Sequence, residues 1–268
     1  MNFLAILVAT AVVALTGLIL GFVLSFAGEK FKIEVDEREA KIRENLPGAN
    51  CGGCGYTGCD GLAEAIAQGK APVTACPVGG PDLAKKIAEI MGTESDSGAK
   101  MVAYVRCSGN CTKTKENYNY YGPKDCRLAF LSPGHGNKKC YYGCCGFGSC
   151  AEVCPFDAIR IVDELAVVDK QKCKACGKCI EACPAGIIEM VPYDTKYSVQ
   201  CSSKSKGKDV RIACEDGCIG CKMCVPVCET GAISVVNNLA RIDYSKCNSC
   251  GKCAEKCPTK IIRIINEE

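Results

Sequence analysis

The sequence predicts an α+β chain with a single N-terminal transmembrane helix, a small α-helical module, and a C-terminal half built from two tandem copies of one small fold. Three observations predict it: an uncharged apolar run from Phe3 to Phe26, four cysteines among glycines beginning at Cys51, and a cysteine pattern that recurs 74 residues along the chain.

The run FLAILVATAVVALTGLILGFVLSF carries no charge. At about 1.5 Å rise per residue it reaches across a hydrocarbon layer roughly 30 Å thick. A cleavable signal peptide is the rival reading, but no basic region precedes the run and no A-x-A site follows it. Residues 1–28 are therefore expected to be an anchor and 29–46 a charged linker helix. Lys30 and Lys32 follow the span at once, so the positive-inside tendency predicts a single-pass protein of the cell (inner) membrane, with its C-terminal side in the cytoplasm. Gly17 and Gly21 form a G-x-x-x-G pair, a spacing that lets a partner helix approach but that also occurs on lipid-facing helices.

Beyond the anchor, 26 of 268 residues are cysteine while tryptophan is absent and aromatics make only 6%. A conventional apolar core is hard to assemble from this composition, and cysteine spacing decides between a disulfide scaffold and metal ligation. Cys173, Cys176, Cys179 and Cys183 leave two, two and three residues between successive thiols. Thiolates held so closely wrap one inorganic cube, and such clusters need the reducing cytoplasm that the anchor also predicts.

The first module, residues 47–98, opens at Pro47 and Gly48. Cys51, Cys54, Cys59 and Cys76 give C-x2-C-x4-C-x16-C, and glycines 52, 53, 55 and 58 let backbone amides turn toward a cluster's sulfides. Zinc knots pair two short arms, whereas here three thiols cluster and one arrives from beyond a helix, which favours [4Fe-4S]. The segment PDLAKKIAEIMG reads as a second helix, and TESDSG as a polar linker.

In the C-terminal half Cys140, Cys144, Cys150, Cys154, Cys173, Cys176, Cys179 and Cys183 recur as Cys214, Cys218, Cys224, Cys228, Cys247, Cys250, Cys253 and Cys257. Two copies of one fold are implied, over residues 99–193 with a cysteine-rich lead-in and 194–268. Within each copy AIRIV with LAVVD, and AISVV with LARID, are expected to pair as short antiparallel strands. Each copy resembles a bacterial two-cluster ferredoxin, in which C-x2-C-x2-C-x3-C-P occurs twice and the fourth cysteine serves the other cluster.

That resemblance implies a ligand set. Cys218, Cys221, Cys224 and Cys257 hold one cluster, and Cys247, Cys250, Cys253 and Cys228 another, with Glu229 standing where proline is usual. Cys173, Cys176, Cys179 and Cys154 make a third. The fourth lacks a thiol, because Phe147 occupies the position equivalent to Cys221. Cys140 or Cys145 is the expected substitute, with Cys140 preferred beside Cys144, Cys150 and Cys183. Five clusters result. Cys107, Cys111, Cys126 and Cys145 are candidates for a sixth, or packed thiols. Cys201 and Cys214 stay unassigned as echoes of Cys126 and Cys140, and His135 is expected to be merely solvated.

Taken together, the anchor, the four-cysteine module, and the KKCYYGCCGFGSCAEVCPFDAI and GCIGCKMC runs resemble the B subunit of the Rnf complex over nearly the whole chain. The resemblance implies an electron-transfer component of a membrane-bound ferredoxin:NAD+ oxidoreductase coupled to Na+ or H+ translocation. Electrons would pass from soluble ferredoxin to membrane and flavin subunits. The alternatives are a polyferredoxin serving another redox enzyme and a cluster-based redox sensor. No G-x-G-x-x-G or phosphate loop follows a strand, so no flavin or nucleotide and no catalytic substrate site is expected on this chain. From residue 100 onward 25 Lys and Arg stand against 18 Asp and Glu. Lys170, Lys172, Lys174 and Lys178 form one basic patch, and Lys204, Lys206, Lys208 and Arg211 another. Each reads either as a solvated face or as a docking surface for an acidic protein partner, whereas nucleic acid is not expected because no aromatic platform accompanies them.

Overall fold

The computed structural model describes residues 3–30, 36–94 and 98–265; parts of the charged segment (31–35) and of the polar linker (95–97) lie outside the described residues. Helix α1 (Phe3–Lys30) contains a window, Thr10–Ala27, with mean hydropathy 2.2 and no buried residue. Val12, Leu15, Leu18 and Phe22 are all exposed. Water penalises such a surface and hydrocarbon does not, so the helix is suited by length and composition to a bilayer.

Helices α2 (Glu37–Asn45), α3 (Cys59–Ala67) and α4 (Gly80–Met91) form the next unit. Asp36 caps α2 by accepting the Arg38 N–H at 2.9 Å, and Gly92 ends α4 in the left-handed region at φ 64°. Their apolar faces meet in an interior of Ile42, Leu62, Ala63, Ile66, Leu83 and Ile87, and Arg43 pairs with Asp60 across α2 and α3.

The first copy begins with β1 (Met101–Val105), before the point where the cysteine repeat starts. After it come α5 (Cys126–Phe130), α6 (Ser149–Glu152), β2 (Ile159–Val162), β3 (Leu165–Val168), α7 (Lys178–Ala182) and β4 (Ile188–Pro192). The second copy contains β5 (Tyr197–Val199), α8 (Gly207–Ala213), β6 (Ile233–Val236), β7 (Leu239–Ile242), α9 (Lys252–Glu255) and β8 (Ile262–Ile264). The expected hairpins form, with Ile159 opposite Val168 in one and Ile233 opposite Ile242 in the other. Each closes through two residues at positive φ, Asp163 with Glu164 and Asn237 with Asn238, as tight two-residue hairpins require. A second antiparallel pair in each copy joins its first and last strands, β1 to β4 and β5 to β8. Sequence reasoning missed β1 and β5 because the ferredoxin resemblance begins only at Cys140 and Cys214.

The strands cover small cores in which aliphatic side chains and thiols mix. In the first copy Val102, Ile159, Val168, Ile187 and Val191 pack with Cys144, Cys150, Cys173 and Cys179; in the second Val199, Ile233, Leu239 and Ile261 pack with Cys218, Cys224 and Cys257. The copies are fastened together. Buried Arg106 pairs with Glu189 at 3.1 Å and donates to the Cys201 carbonyl at 3.4 Å, while Ser202 Oγ donates to the Arg106 carbonyl at 2.9 Å. Within the second copy Arg263 and Asp216 meet at 2.7 Å.

Ile87 has no exposed surface. Ile87→Ala should destabilise the helical unit by about 2–5 kcal/mol. Hydrogen exchange is expected to quicken in α3 and α4 and to stay unchanged in the β2–β3 and β6–β7 hairpins.

Candidate metal centres

Three cavities are each ringed by four thiols from two separated segments. Cys154, Cys173, Cys176 and Cys179 line one, Cys228, Cys247, Cys250 and Cys253 a second, and Cys218, Cys221, Cys224 and Cys257 a third. In every case three thiols come from one loop and its following turn, and the fourth comes from the partner run. Left-handed residues bend these loops, among them Ala175, Lys222 and Ser249. The loops also press on the hairpins. A β-carbon on Gly220 would lie 2.9 Å from the Asn238 carbonyl oxygen, and one on Gly146 only 2.2 Å from that of Glu164, so only glycine lets ligand loop and hairpin turn touch. Glu229, in the usual proline position, bends outward to pair with Lys252.

In the helical unit Cys59 opens α3, and Cys54 and Cys76 pack against the same apolar interior. Cys76 lies close enough to Cys54 and Cys59 to feel their charge, and the amides of Val78 and Gly79 donate to its sulfur. Asn50 Oδ1 accepts the Cys59 N–H at 2.8 Å, holding the glycine loop against the helix start.

The irregular site departs from expectation. Cys140 lines a different cavity, shared with Cys107, Cys201 and Cys214. The thiol brought instead to Cys144 and Cys150 is Cys126, at the start of α5. Its N–H donates to Ser149 Oγ at 2.8 Å, its sulfur receives the amides of Phe147 and Ser149, and Cys145 donates its thiol to it. That thiol hydrogen bond leads in pulling Cys126 down to about 5 against the effect of burial. The grouping of Cys107, Cys111, Cys126 and Cys145 as one further site is therefore not what the structure assembles: Cys107 lines the cavity of Cys140, Cys201 and Cys214, Cys126 lies beside Cys150 instead, and Cys111 is exposed. Sequence comparison missed Cys126 because it sits in an insertion. Cys107 to Cys140 spans 20 residues more than Cys201 to Cys214, and the extra segment carries α5. His135 belongs to the same insertion and is not simply solvated, for its ring lies between those of Phe130 and Tyr141 at 3.7 Å from each.

The donor set suits clusters. Among the described residues no three His, Cys, Asp or Glu side chains close on a point as one zinc ion would require. The thiols ring wider spaces, and backbone N–H groups point at them: Ala103 and Ala175 at Cys173, Ala158 at Cys154 and Ser249 at Cys247, all at 3.4–3.5 Å. Such donors stabilise the negative charge of a thiolate-bound cluster. Burial pushes the Cys150 and Cys179 thiols up to about 12 and those of Cys201 and Cys224 to about 11, so these four hold their protons until cluster binding expels them.

The helical unit meets the first copy at this chemistry. A β-carbon on Gly53, between Cys51 and Cys54, would lie 2.5 Å from the Cys176 carbonyl oxygen, and Cys51 and Cys176 are close enough to interact through charge.

A membrane-suited helix followed by repeated thiol cages, with ferredoxin-type hairpins between them, defines a multi-cluster iron–sulfur electron carrier. Family comparison agrees: residues 46–78 match a family described as "Putative Fe-S cluster", and residues 172–232 and 217–261 match the 4Fe-4S dicluster domain. The chain is 48% identical over 259 residues to the B subunit of the Na+-translocating ferredoxin:NAD+ oxidoreductase complex of Acetobacterium woodii, covering 96% of this chain and 78% of that one. It is 42% identical to the B subunit of the ion-translocating oxidoreductase complex of Methanosarcina acetivorans, covering 95% and 96% of the two chains. With the proton-translocating counterpart of Clostridium ljungdahlii it shares 40% identity, covering 97% and 93%. The chain belongs to the family of B subunits of ion-translocating oxidoreductase (Rnf) complexes.

Gly53→Ala should part the two loops without removing a ligand. Iron and sulfide content are expected to hold, while the magnetic coupling between the two neighbouring clusters weakens and electron exchange between them slows.

Proposed function

We propose that this chain carries electrons, one at a time, from reduced ferredoxin to the membrane and flavin subunits of a ferredoxin:NAD+ oxidoreductase that moves Na+ or H+. The observation that carries the reading is the set of separate thiol cages that follow a membrane-suited helix in the chain, with the loop of the helical unit touching the first copy at Gly53. Cys51, Cys54, Cys59 and Cys76 hold the cluster nearest the anchor. Across the Gly53 contact lies the cluster of Cys154, Cys173, Cys176 and Cys179, then that of Cys126, Cys144, Cys150 and Cys183. Cys126 fills the place vacated at Phe147 because its sulfur is met by the amides of that very turn. The second copy holds two more, on Cys218, Cys221, Cys224 and Cys257, and on Cys228, Cys247, Cys250 and Cys253.

Each cluster supplies a one-electron couple when bound; the chain supplies thiolates, amide donors and spacing. The cysteine-rich part faces the cytoplasm, where the thiols stay reduced, and the single span holds it at the bilayer. Relatives of similar identity are named for sodium and for protons, so the coupling ion is set outside the features they share with this chain.

The docking face follows from charge. An open groove of 1170 Å³ between the copies is lined by Arg160, Lys170, Lys260 and Arg263, with Asp169 the one acid among the described residues. Lys170 and Lys100 lie over the Tyr193 ring at 4.4 and 4.1 Å. Tyr197 lines both this groove and the cage of Cys228, Cys247, Cys250 and Cys253, so an acidic ferredoxin seated there abuts a cluster.

Opposite charges attract over about 8 Å at physiological ionic strength, so reduction by ferredoxin should slow steeply as salt rises. Lys170→Glu with Lys260→Glu should cut the association rate at least tenfold in stopped-flow, with clusters intact. Reversing Lys204, Lys206 and Lys208 should have a smaller effect; the opposite ranking would move the docking site to that patch. Cys126→Ser should remove one cluster's iron and sulfide, whereas Cys140→Ser should leave the spectrum of the Cys144 cluster in place.

A further inference from the structure

The cavity that takes Cys140 is built from both copies. It has a volume of 240 Å³ and is lined by four thiols, Cys107 and Cys140 from the first copy and Cys201 and Cys214 from the second. We propose that these four cysteines hold a sixth [4Fe-4S] cluster, which bridges the two ferredoxin-like copies.

Symmetry is the first support. Cys107 follows β1 as Cys201 follows β5, and Cys140 precedes Cys144 by the same four positions as Cys214 precedes Cys218. The hydrogen bonds repeat as well. Cys107 Sγ accepts the N–H of Gly109 at 3.4 Å and of Cys144 at 3.5 Å; Cys201 Sγ accepts those of Ser203 and Cys218, both at 3.4 Å. An amide two residues ahead aimed at the sulfur is also the signature of Cys173 and Cys247 in the regular cages. Cys140 has it too, from Tyr142. The remaining thiol, Cys214, takes the Thr114 hydroxyl at 3.8 Å.

Proximity and charge agree. A β-carbon on Gly109 would lie 3.5 Å from Cys214 Sγ and 3.6 Å from Cys107 Sγ, so one glycine is flanked by sulfurs of both copies. The main chain closes the seam, with Lys115 N–H donating to the Ala213 carbonyl at 3.1 Å and Glu215 N–H to that of Lys113 at 2.9 Å. Lys138 lies in the cavity wall, 4% exposed, its ammonium donating to the carbonyls of Gly109 at 3.2 Å and Glu164 at 2.6 Å, with the Glu164 carboxylate at 4.0 Å. A cation kept this dry favours a negative occupant, and a cube bound by four thiolates is one.

Loading is balanced by protons: four thiols bind a preformed [4Fe-4S]2+ core delivered by a cluster carrier, and four protons leave. In use the cluster accepts one electron from a reduced neighbour and gives one to the next, with no net change. Its neighbours are fixed by the shared amides, since Cys144 and Cys218 belong to the flanking cages. The bridge turns two separate pairs of clusters into one continuous wire.

The test uses the full-length chain purified anaerobically in detergent, with iron, sulfide and zinc counted per chain. The wild type should hold about twenty-four irons and as many sulfides, six cubes of four. Cys107→Ser and Cys214→Ser should each lose four of both, while Cys111→Ser, at an exposed thiol outside every cage, should lose none. Failure of the Cys126 reading would lower the wild-type count yet preserve the drop in Cys107→Ser, so the two are separable. No loss of iron in Cys107→Ser, or loss of one zinc, overturns the proposal. Should a serine variant misfold and shed several clusters, density for the wild-type chain decides: a cube between Cys107, Cys140, Cys201 and Cys214 sustains the bridge, and water or a disulfide there overturns it.

Discussion

Everything in the C-terminal part of this protein is arranged around the need to bring four sulfurs from distant stretches of chain to the corners of one small volume that the backbone must not enter. Aliphatic packing alone does not fix such a volume. It is enforced by loops at positive φ, by glycines where the loop meets the hairpin, and by amides turned inward. The short strands cover the cages more than they build a core, which is why two-stranded sheets of three to five residues suffice here. Metal coordination makes up for the missing apolar interior.

The same need explains the asymmetry between the copies. The second copy has its full set of thiols in the regular runs, and its lead-in between Cys201 and Cys214 is short. The first has Phe147 at the position equivalent to Cys221, and its longer lead-in carries α5, which brings Cys126 beside Cys150 and the Phe147 amide. Phe147 itself is absorbed by that insertion, its ring 5.2 Å from that of Tyr120. The insertion thus brings a thiol to the one run that has a phenylalanine in its place.

Much of this was legible in the sequence. The apolar helix and the hairpins follow from spacing and periodicity, because local runs fix local geometry; the make-up of the cages is what the ferredoxin resemblance implies, and α2, which the sequence assigns to a linker, packs into the helical unit through Ile42. What escaped were thiols whose partners are set by tertiary structure. A comparison at one fixed offset aligns Cys140 with Cys214 but cannot align Cys107 with Cys201, which recur 94 residues apart across the insertion. Cys126 has no counterpart in the second copy at all, and chance proximity to an offset made it look like the partner of Cys201. Nor can spacing reveal that Cys140 turns toward the other copy, since that depends on β1, β5 and the seam around Arg106.

The contact at Gly53 has a consequence for how the membrane-proximal unit works with the rest. Between α4 and β1 lie nine residues, which span at most about 30 Å when extended. The two loops therefore meet as tethered partners, at a local concentration set by the length of that leash. Two free ferredoxins exchanging electrons would be slowed by every dilution; this pair is indifferent to it, and a seam no wider than one absent methyl group can serve as a permanent junction.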